Sequence, residues 1–371
     1  MLTRVYIDNY WCFTNFEWSP KKLVLIAGRN GSGKSALLDV LGAVRELVLN
    51  PGPALPAVFS SSERTRWDDR TTQRVELDFA ADGYRHHYEL TVDHADPQKP
   101  RIASESLTVD GQVVYLYKDG AATLSQGDGS AAPSAFRSNK VQSFLGLLDT
   151  GNDARLTSFL KALSNLWYVA PDPRSVDPYS TSEDGFIEPS MSNFVSWYRT
   201  VQADPLRARR IDAALAEIFP GFVGLGLQPP MGKQKRLVAS FAQDLRRRDE
   251  KTLTLDFQEL SDGQRMLVML YTLLEVVPFD QGATLIIDEP DNYLALAEVQ
   301  PWVRSLEDRV DEGPGQAFIL SHHPEVLNRF WPSLAVHFER DLFGPTRVKQ
   351  PVHDNELQPA EVWARSEESC P

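Results

Sequence analysis

Cysteine is nearly missing from this chain of 371 residues, which has two, Cys12 and Cys370, one near each end. That excludes a disulfide framework and any zinc site built on cysteines, and it fits a reducing compartment. No run of about 18 apolar residues occurs, so a transmembrane helix is not expected. The opening Met1-Leu-Thr-Arg-Val-Tyr-Ile-Asp-Asn-Tyr-Trp-Cys-Phe13 lacks the basic start and the continuous apolar core of a secretory signal. Repeats of about 20–50 residues are absent, as is the long heptad array of a coiled-coil arm. Positive charge is in deficit: 38 Lys+Arg against 51 Asp+Glu gives a net −13. A constitutive nucleic-acid coat is thereby excluded, and only a local basic patch stays open. The expectation is a soluble, cytoplasmic protein with no membrane partner. Its 42% hydrophobic and 24% charged residues are ordinary for a globular chain. At roughly 150 residues per domain the length allows two or three units, or one large domain with insertions.

Patterned blocks alternate with less regular sequence. In residues 1–50, Lys22-Leu-Val-Leu-Ile-Ala27 is a short apolar run ending at a glycine-rich turn, and Ser35 to Val44 carries apolar residues at helical spacing. Strand, turn and helix is the reading. A Pro-rich linker, Pro51 to Pro56, opens residues 51–150. There Arg74–Phe79, Tyr88–Val92 and Val113–Tyr117 alternate, with Asp-Gly pairs at 82–83, 110–111 and 119–120, so antiparallel hairpins are expected. Residues 151–235 read as a helical insert, with helices over Leu156–Leu166 and Phe194–Phe219 around a polar loop from Pro171 to Pro189. Residues 236–340 return to a mixed pattern: strand Leu253–Phe257, helix Gly263–Val277, strand Thr284–Ile287, a helix, and strand Ala317–Leu320. Residues 341–371 look like an appendage.

Gly28-Arg29-Asn30-Gly31-Ser32-Gly33-Lys34-Ser35 fits G-x-x-x-x-G-K-[ST] at every fixed position, between an expected strand and an expected helix that starts through Ala36. Glycines there let backbone N–H groups curl around phosphates, and the helix N-terminus adds its positive end. Lys34 would reach the β- and γ-phosphates and Ser35 would hold Mg²⁺. Thr284-Leu-Ile-Ile-Asp288-Glu289 is an apolar strand ending in two acids, one placed for Mg²⁺ and one for polarising water. Upstream stands Leu260-Ser261-Asp262-Gly263-Gln264, whose Ser-x-x-Gln spacing is also a helix capping box. Downstream, a strand leads to Ser321-His322-His323.

Together these motifs resemble the ATP-binding-cassette ATPases of the non-transporter kind: chromosome-maintenance, recombination-repair and overcoming-lysogenization-defect proteins, and the AAA-type ATPases of phage-defence operons. Ile7–Phe16 is similar to the family's strand pair ahead of the P-loop, and Glu289-Pro-Asp-Asn-Tyr-Leu294 to the E-P-E-x-x-L of the defence-associated group. The resemblance implies an α/β P-loop NTPase fold, with a mixed central sheet flanked by helices, antiparallel hairpins and an inserted helical subdomain. It makes Glu289 the residue acting on water and His322 the switch histidine at the γ-phosphate, with His323 the alternative. Ser261, Gly263 and Gln264 belong to a signature that closes over nucleotide held by a second protomer. ATP and Mg²⁺ are the implied cofactors and a homodimer the implied assembly.

Departures from the family accompany the likeness. Asp262 replaces a glycine, Asn292-Tyr293-Leu294-Ala295 stands where transporters have S-A-L-D, and the best available Q-loop glutamine is Gln73. The interval from Lys34 to Ser261 is far longer than in compact transport ATPases, which argues against a transporter subunit. Lys233, Lys235, Arg236, Arg246, Arg247 and Arg248 form a basic cluster that meets either DNA phosphate or nearby Asp244, Asp249 and Glu250. Trp167, Trp197 and Tyr198 are read as core residues and not as base-stacking platforms. No HNH, Toprim or zinc nuclease signature is present, so a separately encoded effector protein is expected as partner. A DNA-repair ATPase and a non-hydrolysing, ATP-bound scaffold are the alternatives.

Overall fold

The computed structural model describes residues 1–50, 55–118, 120–125, 134–137, 140–148, 153–229, 234–243, 252–330, 333–342, 344–350, 358 and 360–361. The chain begins with strands β1 (Leu2–Asp8), β2 (Phe16–Trp18) and β3 (Leu23–Ala27), then helices α1 (Lys34–Leu49) and α2 (Leu55–Val58). Strands β4 (Thr72–Ala81), β5 (Tyr84–Asp93), β6 (Arg101–Val109), β7 (Gln112–Lys118), β8 (Ala121–Leu124) and β9 (Ser134–Arg137) follow. Next come α3 (Ala154–Ser164), β10 (Leu166–Val169), β11 (Tyr179–Ser180), α4 (Phe194–Gln202) and α5 (Pro205–Ile218). Strands β12 (Phe222–Gln228), β13 (Lys235–Ala242) and β14 (Thr252–Asp256) lead to α6 (Asp262–Val276), β15 (Thr284–Asp288) and α7 (Leu296–Glu312). The last elements are β16 (Gln316–Leu320), α8 (Pro324–Phe330), β17 (Ala335–Glu339) and β18 (Arg347–Lys349).

A six-stranded sheet in the order β10-β15-β16-β3-β17-β18 positions the site. Its first five strands run parallel and β18 is antiparallel at the edge. All five residues of β3 and of β16 are buried, as expected for interior parallel strands covered on both faces. Alternation divides them between two cores. Leu23, Leu25, Leu285, Ile287 and Ile319 pack with α4, α6 and α7. Val24, Ile26, Ile286, Phe318 and Leu320 pack with α1, which lies between this sheet and a second one. The second is antiparallel, eight strands in the order β2-β1-β4-β5-β6-β7-β8-β9. Gln316 stitches the two sheets together with its whole amide. Its Oε1 accepts from Leu2 N and Thr284 Oγ1, and its Nε2 donates to Leu2 O and Lys21 O.

The hairpins follow their turn chemistry. Asp82-Gly83 and Asp110-Gly111 all have positive φ, the conformation of a tight two-residue turn; Asp119 lies outside the described residues. Two helix expectations are corrected. Leu166 ends no helix; it opens β10, which joins the parallel sheet beside β15. Phe194–Phe219 is two helices, because Asp204 caps the second through the N–H groups of Leu206 and Arg207 and Pro205 takes its first position. Residues 344–350, expected in the appendage, include β18 on the edge of the core sheet.

Candidate functional site

The site lies outside the carboxyl ends of β3, β15 and β16, where parallel sheets leave room for ligands. After β3 the loop Gly28–Gly33 turns tightly, with Ser32 N donating to Arg29 O. Gly33 has φ 101°, and a Cβ there would fall 2.7 Å from Cys12 Sγ and 2.9 Å from Thr346 Oγ1, so only glycine fits. It precedes α1, which has no side-chain cap and no acid in its first turn, so its leading N–H groups are open to an anion. Lys34 is buried and its Nζ donates to the carbonyls of Gly28 and Arg29. Ser32 Oγ is buried without a hydrogen-bond partner among the described residues.

Two chain segments far apart in sequence meet here. Ser35 Oγ donates to Asp288 Oδ2 at 3.0 Å. Burial raises the pKa of Asp288, and the Ser35 hydroxyl acts against that rise. Among the described residues no three His, Cys, Asp or Glu side chains gather into a metal cluster. A hydroxyl and one carboxylate are nonetheless the sparse, hard-oxygen set that Mg²⁺ takes when nucleotide phosphates complete its shell. Glu289 has φ 47°, uncommon for a residue other than glycine, and its N–H is fixed by Leu320 O at 2.8 Å. Asn292 Nδ2 donates to Glu289 Oε2 at 2.7 Å, and His322 Nδ1 lies 3.3 Å from Oε1. Beneath them Asp291 is buried and hydrogen-bonded to Ser321, with a pKa raised by burial.

A cleft of about 530 Å³ is lined by Asn30, Gly31, Gly33, Lys34, Ser35, Ala36, Asp288 and Glu289 from the motifs. Trp11 and Cys12 from the Ile7–Phe16 segment, Asp39 from α1, and Arg66, Trp67, Arg340 and Leu342 complete it, the last four outside every motif. Arg340 Nη1 donates to Gly31 O, and its guanidinium lies 5.1 Å from the Trp67 ring centroid. Behind the loop Thr346 Oγ1 donates to Ser32 O at 2.7 Å.

Ser261, Gly263 and Gln264 do not line that cleft. They form the N-terminus of α6, where Ser261 and Gln264 make a capping box and Ser261 is exposed. Gly263 faces its own chain closely: a Cβ there would sit 2.7 Å from Tyr293 O. Gln73, expected near the nucleotide, is instead buried in β4, sharing a 2.7 Å hydrogen bond with His94. Of the basic cluster, Lys233, Arg246, Arg247 and Arg248 lie outside the described residues, with Asp244, Asp249 and Glu250. Arg236 pairs with Asp256 at 2.8 Å, and Lys235 lies in β13 opposite Ser180. Trp197 and Tyr198 are buried, and Trp167 packs on the same core.

Fold and site define an α/β P-loop domain built like the ATPase heads of chromosome-maintenance proteins. The chain belongs to the family described as "AAA domain, putative AbiEii toxin, Type IV TA system", which matches residues 23–328. Among solved structures it is similar to an Smc head bound to the C-winged helix domain of ScpA, at TM-score 0.56 and 14% identity over 94% of this chain and 97% of that one. A Pyrococcus furiosus Smc head with an extended coiled coil, bound to the C-terminal domain of ScpA, gives 0.50 and 12% over 99% of both chains. The SMC head of Thermotoga maritima gives 0.47 and 14%, over 95% of this chain and 99% of that one. A sequence comparison with curated proteins gives no match.

Proposed function

We propose that the chain is a Mg²⁺-dependent ATPase whose two copies close head to tail around two ATP molecules and thereby regulate a separately encoded effector or a DNA substrate. The observation that carries this reading is the 3.0 Å contact between Ser35 and Asp288, which joins the phosphate loop to the acidic strand end. The loop glycines and the uncapped start of α1 present N–H groups to the phosphates, and the Lys34 ammonium balances their charge. Ser35 and Asp288 would hold Mg²⁺, which would supply charge neutralisation to the phosphates of a bound nucleotide. Glu289 accepts a hydrogen bond from the attacking water, its carboxylate held by Asn292 and its strained backbone held by Leu320. His322, 3.3 Å from Glu289 though outside the lining of the cleft, is read as the histidine that turns to the γ-phosphate when nucleotide is bound. The exposed faces of Trp11 and Trp67 supply apolar contact for the base.

Ser261, Gly263 and Gln264, away from their own cleft, complete the site of the facing copy. The family's description as a putative AbiEii toxin of a Type IV TA system supports a defence role with an effector partner. Repair of DNA is the other use of the same engine. The missing D-loop aspartate, with Ala295 in its place, favours a slow enzyme or an ATP-bound scaffold as the second reading. Phosphate release per chain, measured against protein concentration, tests the proposal. Turnover that rises with concentration and vanishes in Lys34→Ala is expected. Turnover near zero with ATP copurifying would favour the scaffold.

A further inference from the structure

The signature puts an acid on a surface proposed to meet a phosphate. Unanswered, the Asp262 carboxylate would repel the nucleotide of a facing copy. Two arginines answer it. Arg265 binds Asp262 through Nη2 and donates from Nη1 to Pro173 O at 2.8 Å; with a side chain 14% exposed, it is an anchor inside the fold. Arg174 donates from Nε to Asp262 Oδ2 at 2.7 Å, and its guanidinium carbon lies 4.8 Å from the ring centroid of Tyr293. Asp172 stands beside them, its Oδ1 accepting from Arg174 N at 3.0 Å, so two acids and two arginines balance, and what the cluster offers a ligand is N–H groups and not net charge. The accessible N–H groups belong to Arg174, whose side chain is 65% exposed. Its Nη1 and Nη2 hydrogen-bond to no residue among those described.

We propose that Arg174 is a phosphate-contacting arginine that acts in trans, on the γ-phosphate of nucleotide held by a second copy of the chain. This rests on the head-to-tail reading above. Arg174 does not line its own cleft; it stands on the signature face, beside the exposed Ser261. A guanidinium with both terminal nitrogens unused can bind a phosphate through two parallel hydrogen bonds. Its pair with Asp262 is exposed to water, and such pairs are weak enough to be exchanged for a better anion. Tyr293 holds the guanidinium by its ring face, which occupies none of the N–H groups. On this account Asp262, at the position of a family glycine, parks the arginine until a partner's phosphate arrives.

Mixing two inactive variants decides the matter. Arg174→Ala should lower turnover on the order of a hundredfold or more, while the affinity of its own P-loop for a fluorescent ATP analogue stays unchanged. Arg174→Lys, a cation without the planar fork, should recover only part of the rate. Lys34→Ala keeps Arg174 but lacks the phosphate lysine. In a mixed dimer one site then combines an intact P-loop with an intact Arg174, so an equal mixture should regain about a quarter of wild-type turnover for a symmetric two-site dimer. A mixture no more active than its components, with wild-type turnover still rising with concentration, would place Arg174 in its own chain's site and overturn the inference. Full turnover in Arg174→Ala would show that Arg174 serves neither site and would also overturn the inference. Wild-type turnover per chain that ignores concentration would sink the head-to-tail reading itself, and this inference with it.

Discussion

At Glu289 the backbone adopts a left-handed conformation at a cost of about 1–3 kcal/mol, which persists only where the surroundings fix it. Leu320 O, Asn292 and His322 do so, and together they aim the carboxylate at the cleft. Gln73 shows the opposite case, a residue whose surroundings remove it from the chemistry. With Ser61 it encloses His94, whose pKa burial and the nearby Arg64 lower from 6.5 to about 4. Below pH 6.5 the unfolded chain therefore takes up a proton that the folded chain refuses until about pH 4. Folding stability should fall as the pH drops through that window. Urea unfolding at pH 7 and at pH 5 should show a smaller loss in His94→Asn than in the wild type. Equal losses would mean that His94 is not the group responsible. The motif residues were legible because each motif is contiguous, its spacing set by one turn of loop or helix. Trp11, Arg66, Trp67 and Arg340 come from three separate segments, and only the closed fold brings them to one cleft.

At the scale of elements, the long patterned segments were readable and the short ones were not. A four-residue run such as Leu166–Val169 fits the end of a helix as well as a buried strand, and only pairing with β15 decides. β6 has no readable strand signal, because Ala103, Ser104, Ser106 and Thr108 dilute its alternation. The contact between α6 and the loop after β15 had no sequence signal at all. It explains Gly263 within a single chain, and it yields a test. Gly263→Ala should gain about 1 kcal/mol of helix propensity yet lose more to the Tyr293 carbonyl, since overpacking costs about 1–3 kcal/mol. Thermal melting should therefore fall by a few degrees. A rise would show that the loop yields freely and that glycine is kept there for another reason.

For the whole molecule, assembly is the open quantity. Glu289→Gln keeps the hydrogen-bonding shape of the side chain but removes the charge that acts on water, so ATP should bind and stay. A closed dimer should then accumulate, visible by sedimentation as a doubling of mass on adding ATP. Adding Ser261→Arg puts bulk where the facing nucleotide belongs and should abolish that dimer while each P-loop still binds ATP. An ATP-induced dimer that survives the second substitution would move the interface away from α6. The net charge of −13 makes two copies repel at long range, so closure should tighten with added salt unless phosphate contacts dominate it.

The strand that carries the phosphate loop lies between β16 and β17, whose residues are 316–320 and 335–339. A ribosome therefore releases β3 about 300 residues before either of its two neighbours. Until then Leu23–Ala27 is an apolar strand with both edges bare, in a growing chain whose nucleotide pocket does not yet exist. Contacts so distant in sequence slow folding, because a large loop must close before they form. A prematurely ended chain that lacks β17 would carry the complete glycine-rich motif and still lack one wall of its strand, a natural client for chaperones and proteases. Nucleotide binding thus reports that synthesis has passed β17.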